Sequence, residues 1–179
     1  MAQSKKLRLP EGAPAALDQT EKSNQDLAKW LVYTTNVDSS LANEVCHEAM
    51  KAYNETNLHV PESEWDEMGF AKPADSSAED VQGALYLHIG TVQRVLDRQQ
   101  SDPWNVNRLY PSGLVVVDGK DWSEKGVIVV HCDQDEESGE WSVLQHRFHV
   151  KDLGVVLMTV LDADDTFERV AEEHGIKGL

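Results

Sequence analysis

Cysteine is nearly absent: the chain of 179 residues holds two, Cys46 and Cys132. Two thiols allow one disulfide at most, which excludes a disulfide-framework scaffold. Cys46 falls in a helix-like pattern and Cys132 ends a strand-like one, so free thiols in a reducing compartment are expected. Long apolar runs are missing as well. Runs such as 114–117 and 127–130 stay far below the roughly 18 residues that a spanning helix needs. No apolar segment follows Lys5, Lys6 and Arg8, so the start does not read as a secretory signal. Basic residues are scarce, with 16 Lys and Arg against 32 Asp and Glu, a formal net charge of -16. That field repels phosphate backbones and leaves a basic protein or a cation as the compatible partner. Together these absences predict a cytoplasmic protein with no nucleic-acid and no membrane partner. Glycine-rich phosphate loops, a nucleophile elbow and a zinc-protease helix are also missing, so no cofactor and no metal centre is expected.

What is present suits one hydrophobic core: apolar residues make up 40% of the chain. Residues 1–26 read as a flexible tail, because Pro10, Gly12 and Pro14 interrupt them and 18–26 is wholly polar. Residues 27–179 read as a single globular domain. The stretch 27–35 alternates aromatic and β-branched residues, as a strand does. Asn36 and Asp38 offer caps for a helix over about 39–54, whose stripe includes Leu41, Val45 and Ala49. Residues 54–76 are irregular, with a short turn at 61–68 and Trp65, Met68 and Phe70 as anchors. A second helix spans 77–98, with Val81, Leu85, Ile89, Val92 and Leu96 on one stripe and Ser77 followed by Asp80 as its cap.

From residue 112 the period changes. Strands are expected at 114–118, 126–132 and 141–150. The first two each carry a continuous apolar run, as strands buried on both faces do. The last two make an antiparallel hairpin around the acidic turn 133–140. A further strand is expected at 155–161. A closing helix then runs to about His174, capped by Asp162, Asp164 or Asp165 and ended by Gly175. This order predicts an α+β fold, with a single mixed or antiparallel sheet packed against two or three helices.

Candidate sites follow from residue chemistry. Asp118, His131, His146 and His149 are the candidates for a metal-dependent or hydrolytic enzyme. Asp118-Gly119-Lys120 places an acid and a lysine at a strand end, and the histidines fall on or beside the hairpin. Alternation puts His146 and His149, and likewise His131 and Cys132, on opposite faces, so at most one pair converges. Cys46 lies within the apolar stripe and reads as an inert buried thiol. The turn residues Asp133, Asp135, Glu136, Glu137 and Glu140 are the candidate contact for a basic protein. Trp30, Trp65, Trp104, Trp122 and Trp141 are core or loop anchors; if two or three share a groove, they indicate a ligand pocket.

Residues 114–118, 126–133, Arg147-Phe148 and 155–179 resemble the C-terminal part of a family of small microbial proteins of unknown function. There a strand ending in Asp precedes a second strand and an Arg-bearing one. A strand, a helix containing Phe and a Gly-x-x-Gly tail close the chain, here Phe167 and 175–179. The likeness spans about 65 residues and departs at Gly154 and Val155, where the family is often Asn-rich. It implies one fold unit and no chemistry. The functional expectation is a non-enzymatic acidic interaction or inhibitor-type domain. The alternatives are the Asp/His enzyme and a small-ligand binder with a tryptophan-lined pocket. Oligomeric state is left open.

Overall fold

The computed structural model describes residues 6–20, 28–65, 69–101, 109–162 and 165–177. The expected anchors Met68 and Trp104, the cap Asp164, residues 1–5 and 21–26 of the expected tail, and the last two residues of the chain lie outside them.

The elements follow in the order α1 (Ala13–Thr20), β1 (Lys29–Thr34), α2 (Ser40–Tyr53), β2 (Ala71–Pro73), α3 (Val81–Ser101), β3 (Leu109–Val117), α4 (Trp122–Lys125), β4 (Val127–Gln134), β5 (Trp141–Phe148), α5 (Val150–Leu161) and α6 (Phe167–His174). The five strands form one mixed sheet in the order β2-β1-β3-β4-β5. β1 lies parallel to both β2 and β3, with Trp30 opposite Ala71 and Leu31 opposite Leu114. β3, β4 and β5 run antiparallel, and the β4–β5 hairpin pairs Val127 with Phe148 through to Gln134 with Trp141. The expected α+β architecture is thus realised with a mixed sheet.

Strand alternation divides the core into two layers. Trp30, Val32, Val115, Val117, Val127, Val129 and Phe148 face one side and pack under α2, α5 and α6. Leu31, Tyr33, Leu114, Val116, Val130 and Cys132 face the other and pack under α1 and α3. Helices on both faces explain why the central strands read as unbroken apolar runs. Each edge is limited by its own chemistry. β2 is three residues long and contains Pro73, which has no N–H to donate. Beside β5, the Ile176 N–H donates to the Arg147 carbonyl at 2.8 Å.

The structure differs from the expectations at several points. Residues 155–161 belong to α5, not to a strand. Their β-branched content favours a strand, yet Leu153, Gly154, Val156, Leu157 and Val160 are buried at helical spacing against the sheet. Gly154 allows α5 to reach α2, since a Cβ there would come within 2.6 Å of Tyr53 Cβ. Within the expected tail lies α1, which buries Ala13, Ala16 and Leu17; alanines add little apolar area, so this segment gave no core signal in the sequence. The cap of α6 is Thr166, whose Oγ1 accepts from Arg169 N, while Asp165 pairs with the Arg169 side chain. Gly175 is extended rather than left-handed; its missing side chain makes room for His146, whose Nε2 would lie 2.1 Å from an added Cβ. The cap of α3 is Asp80 itself, which accepts from Gly83 N at 2.7 Å.

Candidate functional site

A groove of about 760 Å³ lies beside α2. Asn43, Glu44, His47, Glu48 and Ala52 line it from α2. These positions lie off the helix's buried stripe of Ala42, Val45, Ala49 and Met50. The facing wall is Trp122 and Ser123 of α4, then His149, Val150 and Lys151 where β5 turns into α5. A second compartment of about 440 Å³ adjoins it, sharing Asn43 and His47. Lys29, Cys46, Glu62, Trp65 and Lys72 are among its lining. The His47 ring lies 5.3 Å from that of Trp65. Trp122 thus lines one hollow and Trp65 its neighbour, with Asn43 and His47 common to both, and both volumes fall in the range of small-molecule pockets.

The expected catalytic candidates do not assemble. Asp118 sits at the end of β3, bound through both carboxylate oxygens by Arg147. His131 and His146 share the face covered by α6, with aromatic rings between them. His131 stacks on Phe167 at 5.5 Å, Phe167 meets Phe148 at 6.0 Å, and Phe148 meets His146 at 5.4 Å. Nε2 of His131 lies 3.0 Å from the Tyr110 hydroxyl, its Nδ1 is buried without a partner, and burial pushes its pKa down to about 4. His149, by contrast, lines the α2 groove. Among the described residues no group of three His, Cys, Asp or Glu side chains is placed to hold a metal ion.

The cysteines are free, and burial pushes both thiols up to about 12. The acidic turn carries Asp133, Asp135, Glu136, Glu137 and Glu140 exposed at the tip of the β4–β5 hairpin. The Asp135 carboxylate is turned inward, accepting from Ser138 N at 2.7 Å and Glu137 N at 3.1 Å, which lowers its pKa. Trp30 is core and Trp141 is half-buried on the α3 side.

A shallower hollow of about 550 Å³ lies at the carboxyl ends of the parallel strands, lined by Asn36, Asp38, Ser77, Glu79 and Lys120. Here the connections that leave β1 and β2 pass to opposite faces of the sheet, a common ligand position in α/β sheets. Much of its polar chemistry is satisfied internally. Asn36, left-handed at φ 55°, donates to the Glu79 carbonyl at 2.6 Å, and Asp38 accepts from Ser40 N at 2.8 Å.

No family model, curated protein or solved structure matches the chain. No described helix is long and apolar enough to cross a membrane.

Sequence reasoning named His149, Trp65 and Trp122 but did not single out Asn43, Glu44 or Glu48 on α2. Asn43, Glu44, His47 and Glu48 pair at i, i+4 on one polar face, and a polar helix face ordinarily reads as solvent-facing. Their juxtaposition with α4 needed the tertiary fold.

Proposed function

We propose that the chain is a non-catalytic binding domain that takes a small ligand into the groove along α2. The observation that carries this reading is a tryptophan in each of two neighbouring hollows that share Asn43 and His47, Trp122 in one and Trp65 in the other. Flat amphipathic rings at a concave surface bury much ligand area at little entropic cost. A non-catalytic reading is supported by the dispersal of the Asp/His set: Asp118 is engaged by Arg147, and His131 is covered by Phe167. The test is a titration of ¹⁵N-labelled protein with a library of aromatic fragments, following the indole N–H resonances. Fragments that move Trp122 and Trp65 and leave the fully buried Trp30 in place support the reading. A library that moves neither overturns it.

A second reading places a basic protein on the hairpin tip. The observation favouring it is that Asp133, Glu136, Glu137 and Glu140 stand exposed together without an ion pair to any described residue. Such a contact weakens steeply with added salt. Replacing these four acids by their amides abolishes capture of the partner if the reading is right and leaves it unchanged if it is wrong.

A further inference from the structure

The two walls of the α2 groove carry opposite charge. On one, Glu44 and Glu48 stand one helical turn apart. Like charges at that spacing repel. On the other, Lys151 and His149 lie beside Trp122. Among the described residues, none of the Glu44, Glu48, His149 and Lys151 side chains makes a hydrogen bond or ion pair. The groove thus gathers a carboxylate pair, an ammonium and an indole in one lining, with the charges unpaired among the described residues.

This arrangement discriminates among ligand classes. A simple cation satisfies the glutamates but meets Lys151. A simple anion satisfies Lys151 but meets two carboxylates and the negative field of the whole chain. A purely apolar ligand strips water from all three charges without replacing it. A molecule with an ammonium at one end, a carboxylate at the other and an apolar body between satisfies both walls and covers Trp122, Ala52 and Val150. The volume of about 760 Å³ accommodates a ligand of dipeptide size.

Resting on the groove as the binding site, we propose that its ligand is a small zwitterion of this kind. The ammonium lies at Glu44 and Glu48, the carboxylate at Lys151 and His149, and the apolar body on Trp122. The apolar body of the bound ligand shields the pairs from water, and a charge-assisted contact then counts for more than on open surface.

The test uses the full chain and four probes, read through the Trp122 indole resonance. They are the dipeptide phenylalanylglycine, its N-acetyl form, its C-terminal amide and the form blocked at both ends. The dipeptide is expected to bind about tenfold tighter than either singly charged form. The double variant Glu44→Gln, Glu48→Gln weakens the dipeptide and the amide but not the N-acetyl form. Lys151→Met weakens the dipeptide and the N-acetyl form but not the amide. All three positions are exposed, so the variants keep the fold, which circular dichroism checks. If the doubly blocked form binds as tightly as the dipeptide, the zwitterion is overturned and the groove stands. If none of the four probes moves Trp122 while library fragments do, the same holds. If neither probes nor fragments move it, both readings fall together.

Discussion

Arg147 on β5 grips Asp118 at the end of β3 through a two-bonded fork: Nη1 donates to Oδ1 at 2.9 Å and Nη2 to Oδ2 at 2.5 Å. Nη1 also donates to the Gly126 carbonyl at 3.1 Å, just before β4 begins. One guanidinium therefore ties together the ends of three neighbouring strands, and the acid that most resembled a catalytic residue is a structural clamp. Both side chains keep less than a third of their surface exposed. Asp118→Asn is expected to cost about 1–2 kcal/mol, as loss of a forked, partly buried pair does. Chemical denaturation of Asp118→Asn, Arg147→Met and the double variant checks this. A coupling energy near zero would refute the clamp.

Trp30 lies directly over Gly113, and a Cβ at residue 113 would sit 2.1 Å from the indole. Trp30 is fully buried in the core, so it has nowhere to retreat. Gly113→Ala is expected to destabilise by about 3 kcal/mol through overpacking. Gly90, exposed on α3 with nothing within 4 Å of an added Cβ, is the control. Gly90→Ala is expected to stabilise by about 0.5–1 kcal/mol, since alanine is the better helix former. Thermal melting of the two variants should shift in opposite directions.

Burial lowers the pKa of both His88 and His131 from 6.5 to about 4. His88 is fully buried, with Nε2 2.8 Å from the Pro111 carbonyl. Each imidazole is neutral in the native state, while the unfolded chain takes up its proton as pH falls below 6.5. Stability is therefore lost between pH 6.5 and 4 and levels off below, by at most about 3 kcal/mol per histidine. Urea unfolding at a series of pH values in this window measures it. His131→Gln, which keeps a polar partner for Tyr110, should reduce the slope by one proton. An unchanged slope would show that His131 titrates normally.

With thiol pKa values of about 12, Cys46 and Cys132 are only about 0.01% thiolate at pH 8. Native protein is expected to react with an aromatic disulfide reagent at least about a hundredfold more slowly than unfolded protein. Rapid labelling of Cys46, which borders the second compartment of the groove, would mean that the α2 wall opens.

Much of the sheet was legible because burial on both faces leaves a plain signature. The apolar runs 114–117 and 127–130 needed no partner to be recognised as central strands. The hairpin was legible because its acidic turn separates two alternating segments. The run 155–161 was misread because β-branched residues satisfy a strand and a fully packed helix equally well. Only the burial of Leu153, Val156, Leu157 and Val160 between sheet and α2 decides it. Alternation correctly put His131 and Cys132 on opposite faces. It gave no hint that Phe167, from a helix 36 residues later, would cover the imidazole. The groove was the least legible part, since its walls come from three helices that lie far apart in the chain.

The position of β1 between β2 and β3 governs the order in which the molecule can be made. Its inner neighbour is β3, and Leu31 waits for Leu114, 83 residues further on. A nascent chain that has just released α3 holds β1 with only the three-residue β2 at its side. α1, α2 and α3 can already cover Trp30, Leu31, Val32 and Tyr33, but the edge of β1 that will pair with β3 is still open. Such a topology ties native structure to contacts that close late, so the domain acquires its core only after most of it has been synthesised.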